Sequence, residues 1–266
     1  MSEWRQIDHR LTSIHPDERG FHYGDGAFET VAIRNGEPRL WSYHAERLQG
    51  ACKRLGLDQP VEGMLDIYLE AALRDTSEDT NYCVAKVIVT AGPGRRGYAR
   101  AMPSQSHTYI GVFPATPVNK PAYQKGVATV LCETRLATGS PVAGLKTLNR
   151  LEQVLARSEV APTGAFEGLT LDADGRLICG TMSNVFIVRD KRVLTPSLER
   201  CGVSGIMRRL VIEELNRSNE PVVVTDLSMD DLANADEVFI TNSQMGAVPV
   251  HRCGELHWSV GPATRD

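Results

Sequence analysis

The 266-residue sequence lacks the features that mark several classes of protein. Its six cysteines have no CxxC or CxxxC spacing, so we predict no zinc site, no metal and no dense disulfide framework, but reduced thiols in a cytoplasm. There is no run of about five or more basic residues, and the net charge of −4 argues against nucleic acid or an anionic membrane as the main partner. No segment approaches about 18 uninterrupted apolar residues, and the charged start does not predict a signal peptide.

What remains is the composition of an ordinary globular protein, with 42% hydrophobic and 23% charged residues. Short β-branched runs alternate with helical patterns, which predicts an α+β or mixed α/β fold. Two prolines and several polar residues interrupt the pattern at "TPVNKPAYQKG". We therefore predict an N-terminal α/β domain over residues 1–116, a linker over 117–125 and a second domain over 126–266.

The start of the chain predicts a hairpin followed by a helix. The Asn-Gly turn in "RNGE" joins two short apolar runs, predicted as strands over residues 28–33 and 38–41. In "SYHAERLQGACKRLGL", apolar residues recur at helical spacing, with Ser42 as the predicted N-cap and Gly56 as the C-cap.

The segment "GLKTLNRLEQVLAR" places Lys146 between a strand-like run and a helix, without a carboxylate in the adjacent positions. Asn149 and Glu152 have the spacing of a capping box, which predicts that the helix starts just after the lysine. Lys146 is then either a lysine whose ammonium group reaches the surface or a partly desolvated amine able to form a Schiff base. Four apolar residues are predicted as the buried stripe of this helix, namely Leu148, Leu151, Val154 and Leu155.

Two further segments suggest anion binding. In "CGVSGIMRRL", Gly205 precedes a helix that begins at Ile206, and its first N–H groups form either an anion site or an ordinary helix start. Arg47 could supply a guanidinium to the same anion. The loop "GPGRRGY" lacks the Gly-Lys-Ser/Thr ending of a P-loop; its Arg96 and Tyr98 either hold a substrate carboxylate or lie exposed.

Together these segments resemble the fold-type IV pyridoxal-phosphate enzymes. The most specific parts are "RGFHYGDGAFET", "HAERLQGACKRLGL", "GLKTLNRLEQVLAR", "SNVF", "GVSGIMR" and "FITNSQMGAVPV", in the order of the family and spread almost from end to end. The resemblance implies the two-domain fold of the D-amino acid aminotransferases, the cofactor pyridoxal 5′-phosphate and a homodimer.

The resemblance also implies roles for individual residues. Lys146 matches the lysine that forms the Schiff base with the cofactor. Arg47 matches the arginine that contacts the cofactor phosphate, and Gly205 and Ile206 match the helix start that cradles that phosphate. Ser243 matches a hydroxyl residue that supports the phosphate in some relatives.

On the substrate side, Phe28 occupies a position where D-amino-acid transaminases have a tyrosine. Arg96 and Tyr98 lie where those transaminases hold the substrate carboxylate with an arginine and a histidine. Four residues after the lysine, the transaminases carry a tyrosine, whereas this chain has Arg150 within "LNRLEQ". That run is similar to the aminodeoxychorismate lyases.

One position departs from the family. The family places a glutamate, which hydrogen-bonds the pyridine nitrogen of the cofactor, five residues before the asparagine of "NxF"; here the residue is Cys179. A thiol is a weak substitute, because its ordinary pKa is about 8.5. Either the enzyme is impaired or repurposed, or another acid reaches the nitrogen, or the reaction tolerates a weaker electron sink. We hypothesise that Cys179 favours lyase over transaminase chemistry.

The resemblance implies a lyase that converts 4-amino-4-deoxychorismate to 4-aminobenzoate and pyruvate for folate biosynthesis. Two alternatives stay open at this point. One is an aminotransferase for D-amino or branched-chain acids. The other is a non-catalytic relative that binds the cofactor or a carboxylate ligand.

Overall fold

The computed structural model describes residues 4–6, 9–10, 13–60, 63–100, 105–218 and 221–264. The chain divides into two compact units. The first comprises residues 1–117 and 145–149, and the second comprises residues 118–144 and 150–266. Both units contain helices and sheet, so the prediction of a mixed α/β fold is confirmed. None of the described helices is long and apolar enough to span a bilayer.

The described strands of the first unit form one antiparallel sheet. They are β1 (Trp4–Gln6), β2 (His9–Arg10), β3 (Gly26–Arg34), β4 (Glu37–Pro38), β5 (Tyr82–Thr90) and β6 (His107–Pro114). Their order in the sheet is β2-β1-β6-β5-β3-β4. Alternate residues of β5 are buried, because successive side chains of a strand point to opposite faces of the sheet.

The predicted turn between β3 and β4 forms, with Asn35 and Gly36 both at positive φ (53° and 81°) as a two-residue hairpin requires. The second strand is shorter than predicted, because Trp41 already begins a helix.

The first unit also contains three described helices. They are α1 (Arg19–Tyr23), α2 (Trp41–Leu55) and α3 (Met64–Arg74), with α2 packed on β3 and α3 on β6. The predicted cap at Gly56 is confirmed, with φ at 65°. The predicted N-cap Ser42 is wrong: the helix begins at Trp41, and Leu40 precedes it without a side-chain capping bond.

The described strands of the second unit form a larger sheet that closes on itself. They are β7 (Val127–Leu131), β8 (Glu167–Leu171), β9 (Leu177–Gly180), β10 (Asn184–Arg189), β11 (Arg192–Pro196), β12 (Val223–Thr225), β13 (Glu237–Asn242), β14 (Gly246–Cys253) and β15 (Leu256–His257). The order is β12-β11-β10-β13-β14-β7-β8-β9, with β15 on β14. The ring closes because β9 also pairs with β10, where Cys179 lies opposite Asn184.

The helices of this unit are α4 (Lys120–Lys125), α5 (Leu151–Val160), α6 (Ile206–Arg217) and α7 (Met229–Ala233), with 3₁₀ turns at Ala161–Thr163 and Pro262–Thr264. The core of the sheet is apolar and includes Leu169, Leu171, Leu177, Val185, Ile187, Val238, Ile240, Val248 and Val250.

The predicted linker over 117–125 is wrong in part, because most of it is the helix α4 of the second unit. The side chain of Asn119 caps this helix by accepting a hydrogen bond from Ala122 N at 3.0 Å. The helix packs on β14, and Tyr123 Oη donates to the carbonyl oxygen of Met245 at 2.9 Å. A proline and polar residues therefore marked a capped helix start rather than an extended connection.

The predictions for α5 are also wrong in part. The capping box does not form: Asn149 Nδ2 donates to the carbonyl oxygen of Gly24 at 3.0 Å, and Glu152 Oε1 accepts from Ala137 N at 3.0 Å. Arg150 precedes the helix without a side-chain capping bond.

The predicted stripe of α5 is largely exposed, with Leu151 at 77%, Val154 at 57% and Leu155 at 60%. The helix instead buries its small face, Ala156 and Val160, against β8. That packing is close because Gly168 has no side chain: a Cβ there would overlap Val160.

Candidate active site

Lys146 is held beside the first strand of the hairpin in the first unit. Phe28 N donates to the carbonyl oxygen of Lys146 at 3.0 Å, and Leu148 N donates to that of Gly26 at 3.0 Å. Thr147 forms an isolated bridge with Ala27. The backbone on both sides of the lysine is thus fixed by hydrogen bonds rather than by a helix cap.

The structure brings Lys146 and Phe28 together, two residues that the resemblance assigned to the site. The ammonium nitrogen of Lys146 lies 4.2 Å from the centroid of the Phe28 ring. A second lysine, Lys86 on β5, lies on the same ring, with its nitrogen 5.0 Å from the centroid. Both lysines are half-buried, so the ring carries two cations that are partly removed from water.

Arg47 forms part of a charged cluster that contains a carboxylate. Glu29 follows Phe28 on β3 and therefore points to the opposite face of the sheet, against α2. Residues three apart on a helix share a face, which brings His44 and Arg47 to this carboxylate together. Arg47 donates from Nε at 2.7 Å and from Nη2 at 2.6 Å, and His44 Nδ1 lies 2.6 Å from Glu29 Oε2.

This cluster keeps Glu29 ionised. Burial raises the pKa of Glu29, but the hydrogen bonds and positive charges of His44 and Arg47 outweigh burial and hold that pKa below its ordinary value. The negative charge fixes the orientation of the Arg47 guanidinium and offsets part of its charge. A phosphate contact by Arg47 remains a prediction.

The loop that carries Arg96 and Tyr98 is attached through its backbone. The buried guanidinium of Arg19 donates to the carbonyl oxygens of Gly97 at 3.0 Å, Tyr98 at 2.8 Å and Ala99 at 3.4 Å. The Arg96 side chain and the Tyr98 side chain are exposed, the latter by 88%. Their role in binding a substrate carboxylate stays a prediction.

Asp25 anchors the same region. Arg19 Nε and Arg100 Nε each lie 2.9 Å from Asp25 Oδ2, and Arg100 also contacts the second carboxylate oxygen. Burial raises the pKa of Asp25, and the hydrogen bonds and charges of the two arginines lower it below its ordinary value. The carboxylate is therefore ionised at neutral pH and joins Arg100, at one end of the loop region, to Arg19 of α1.

In the second unit, Cys179 is a buried, neutral thiol. Its sulfur lies 3.5 Å from Thr170 Oγ1, and it packs in an apolar cluster with Leu136, Ile178 and Leu198. Burial raises the pKa of Cys179 to about 12, although the hydrogen bond from Thr170 acts in the opposite direction. At neutral pH this side chain is a thiol, unable to supply the negative charge of a glutamate.

The backbone at the start of α6 lies very close to the Asn184 side chain. Gly205 precedes the helix without a side-chain capping bond. Asn184 Nδ2 donates to the carbonyl oxygen of Val203 at 3.0 Å, and a Cβ on Gly205 would overlap Asn184 Oδ1. Cys179, Asn184 and Gly205 therefore lie in one region of the second unit, beside the uncapped N–H groups that begin at Ile206.

Ser243 lies in the turn between β13 and β14 and is half-buried. Asn242 organises this turn by accepting hydrogen bonds from Gln244 N at 2.9 Å and Met245 N at 3.0 Å. Its amide donates to the carbonyl oxygen of Met182 at 3.2 Å, which ties this turn to the one between β9 and β10. A phosphate contact by Ser243 remains a prediction.

Glu167 holds the turn between β9 and β10 and was not recognised from the sequence. This buried carboxylate accepts from Thr181 N at 3.2 Å, Met182 N at 3.2 Å and Ser183 Oγ at 2.9 Å. The turn connects the strand of Cys179 to the strand of Asn184. An acid within an apolar strand pattern was the signal that could have identified both Glu167 and Glu29.

The family that matches this chain is amino-transferase class IV. The model of that family matches residues 26–253, and the chain therefore belongs to it. The family and the fold that the motifs predicted are confirmed.

Individual relatives are similar over nearly their full length. An aminodeoxychorismate lyase of Vibrio harveyi is 36% identical over 96% of this chain and 94% of the relative. The crystal structure of the 4-amino-4-deoxychorismate lyase of Pseudomonas aeruginosa is 39% identical, with a TM-score of 0.91 over 98% of this chain and 95% of that one. A putative branched-chain-amino-acid aminotransferase of Methanocaldococcus jannaschii is 29% identical over 92% of this chain and 84% of the relative.

Proposed function

We propose that this chain is a pyridoxal-phosphate-dependent aminodeoxychorismate lyase. It would eliminate pyruvate from 4-amino-4-deoxychorismate and release 4-aminobenzoate for folate biosynthesis. The observation that carries the proposal is the full-length similarity to two lyases, at 36% and 39% identity. Six free, buried cysteines fit a reducing cytoplasm, where we place the reaction.

The residues present fit the cofactor in both units. In the first unit, a half-buried primary amine with a fixed backbone lies against an aromatic ring, and an amine that is partly removed from water is suited to binding an aldehyde. In the second unit, α6 begins at a glycine whose Cβ would collide with Asn184, and its first N–H groups are uncapped, which suits a phosphate. When bound, pyridoxal phosphate supplies an electron sink for negative charge on the substrate carbon that bears the amine.

Lys146 has two roles in this proposal. Its amine would hold the cofactor, and the same nitrogen would take the proton from C4 of the substrate. The Phe28 ring lies beside that nitrogen, 4.2 Å from ring centroid to nitrogen. Arg47, oriented by Glu29, and the start of α6 are each assigned to the cofactor phosphate.

Cys179 distinguishes elimination from amine transfer. A neutral thiol cannot keep the pyridine nitrogen protonated in the way a carboxylate does. Amine transfer needs a long-lived negative charge, whereas loss of pyruvate from this substrate yields an aromatic ring, which supplies driving force of its own. We therefore assign to Cys179 a bias toward the lyase reaction.

The test is direct. Cofactor-loaded protein is incubated with 4-amino-4-deoxychorismate, and 4-aminobenzoate and pyruvate are measured together with amine transfer to 2-oxoglutarate. Equal release of the two products, abolished in Lys146→Ala, is expected. Amine transfer without release of 4-aminobenzoate would instead favour the aminotransferase alternative, to which the M. jannaschii relative points. Colourless protein that takes up no cofactor would favour the non-catalytic alternative.

We also propose that the chain forms a homodimer. The exposed apolar face of α5, with Leu151, Val154 and Leu155, and the exposed Met182 are surfaces that a second copy would cover. Light scattering of the purified protein should give twice the mass of 29.2 kDa. A monomer at micromolar concentration would contradict this proposal.

A further inference from the structure

Arg208 lies in the first turn of α6 and binds the end of β11. Its Nε donates to Thr195 Oγ1 at 3.3 Å, and its Nη2 donates to the carbonyl oxygen of Pro196 at 3.0 Å. Thr195 is fully buried, and its hydroxyl donates in turn to the carbonyl oxygen of Val185 on β10 at 2.9 Å. The guanidinium of Arg208 is therefore held, half-buried, against the sheet of the second unit.

The charge of Arg208 has no counter-ion among the described residues. Both of its hydrogen-bond acceptors are neutral, and burial lowers the pKa of Arg208 without an opposing contribution from an acid. Three other arginines with largely buried side chains, Arg19, Arg47 and Arg176, each contact a carboxylate. Because a charge removed from water is costly unless an opposite charge lies near it, Arg208 is suited to a bound anion.

The position of Arg208 within the helix adds a second unfavourable interaction. The first N–H groups of a helix carry partial positive charge, so acids are stabilising there and bases at the opposite end. The first turn of α6 contains no acid, and Gly205 precedes it without a side-chain capping bond. Arg208 Cβ lies 3.6 Å from the place that a Cβ on Gly205 would occupy, so its side chain leaves the helix beside these N–H groups. An anion at this helix start would be stabilised by both sources of positive charge.

We propose that Arg208 supplies positive charge that retains the phosphate of the cofactor at the start of α6, an inference that rests on the proposed function. A phosphate monoester carries about 1.5–2 negative charges at pH 7. Arg47, the other cation assigned to this phosphate, already has part of its charge offset by Glu29. Arg208 keeps its hydrogen bonds to Thr195 and Pro196 and acts on the phosphate through its charge.

Two substitutions separate the charge of Arg208 from its hydrogen bonds. Arg208→Lys keeps the charge but not the planar fork of donors, whereas Arg208→Gln keeps a donor and removes the charge. Arg209→Gln is the matched control, because Arg209 is the next residue of α6, is exposed and pairs with Glu213 at 2.8 Å. Uptake by cofactor-free protein is titrated by absorbance with pyridoxal 5′-phosphate and with pyridoxal, which lacks the phosphate.

We expect Arg208→Gln to weaken uptake of pyridoxal phosphate by about tenfold or more, because a charge in a partly buried site acts strongly on a nearby anion. Uptake of pyridoxal should stay within about twofold in the same variant, since pyridoxal has no phosphate to attract. Arg208→Lys should stay within about threefold of the wild type for both compounds, and Arg209→Gln should resemble the wild type. Inorganic phosphate should compete with pyridoxal phosphate less effectively in Arg208→Gln.

Equal losses of pyridoxal phosphate and pyridoxal uptake in Arg208→Gln would overturn the inference, because they would show that Arg208 only shapes the start of α6. Unchanged uptake of pyridoxal phosphate in that variant would overturn it too, as would an equally large loss in Arg208→Lys. Thermal unfolding checks that each variant is folded, which we expect because glutamine retains a donor and removes a partly desolvated charge. The titration needs no turnover, and a wild type that takes up no pyridoxal phosphate would instead contradict the proposed function.

Discussion

Replacing Glu29 by glutamine tests whether the charged cluster at α2 stabilises the first unit. The carboxylate accepts two hydrogen bonds from Arg47 and one from His44, and its side chain is 1% exposed. Glutamine offers one acceptor oxygen and points an NH₂ group at the remaining donors. Breaking a buried ion pair on one side costs about 3–5 kcal/mol. Arg47 is 17% exposed and can turn toward water, so we expect the lower end, about 3 kcal/mol.

The assay is urea unfolding at pH 7, followed by hydrogen exchange in peptides of the first unit. For a domain of this size, a loss of about 3 kcal/mol lowers the unfolding midpoint by about 1.5–2 M urea. Glu70→Gln is the control, because Glu70 is an exposed acid on α3 of the same unit. Its midpoint should match the wild type.

The effect should depend on pH in a defined direction. The folded-state pKa of Glu29 lies below its ordinary value of 4.5, so its contribution is fully present above pH 4.5 and is lost as the pH falls through the folded-state pKa. The difference between wild type and Glu29→Gln should therefore be constant from pH 7 to about pH 5 and shrink in more acidic solution. Equal midpoints for Glu29→Gln and Glu70→Gln at pH 7 would refute the reasoning.

Three further substitutions test other parts of the structure. Arg19→Met removes the donor to three carbonyl groups, so hydrogen exchange over residues 94–100 should accelerate by about tenfold or more, whereas the exposed Arg74→Met should leave it unchanged. Gly205→Ala places a methyl group against the Asn184 side chain; we expect a loss of about 1–3 kcal/mol in stability and weaker uptake of pyridoxal phosphate by absorbance, and normal uptake would contradict this. Cys179→Glu should raise amine transfer to 2-oxoglutarate relative to release of 4-aminobenzoate, and faster lyase turnover without added amine transfer would argue against the proposed bias.

Elements with a strong local pattern could be predicted from the sequence. The Asn-Gly hairpin turn and the Gly56 cap require positive φ, which few residues adopt, so the residue types identify them. The capping box predicted at Asn149 and Glu152 does not form, because both side chains bind backbone groups that are distant in the sequence. Local spacing does not reveal such tertiary partners.

The residues of the candidate site could likewise be predicted only in part from the sequence. Lys146 and Phe28 were named from the motifs, and the structure places them in contact. Glu29 and Lys86 were not, because their partners depend on which face of a strand each residue occupies and on the register between β3 and β5. A one-residue shift of register would have exchanged their environments.

The way Arg19 binds the loop over residues 95–99 has a consequence for which side chains that loop can carry. Within residues 97–99, its guanidinium contacts main-chain oxygens and no side chain, and every amino acid supplies such an oxygen. Side chains at positions 95, 96 and 98 can therefore be exchanged without altering the course of the polypeptide there. Among residues 95–98, Gly97 resists replacement because its φ is 96°.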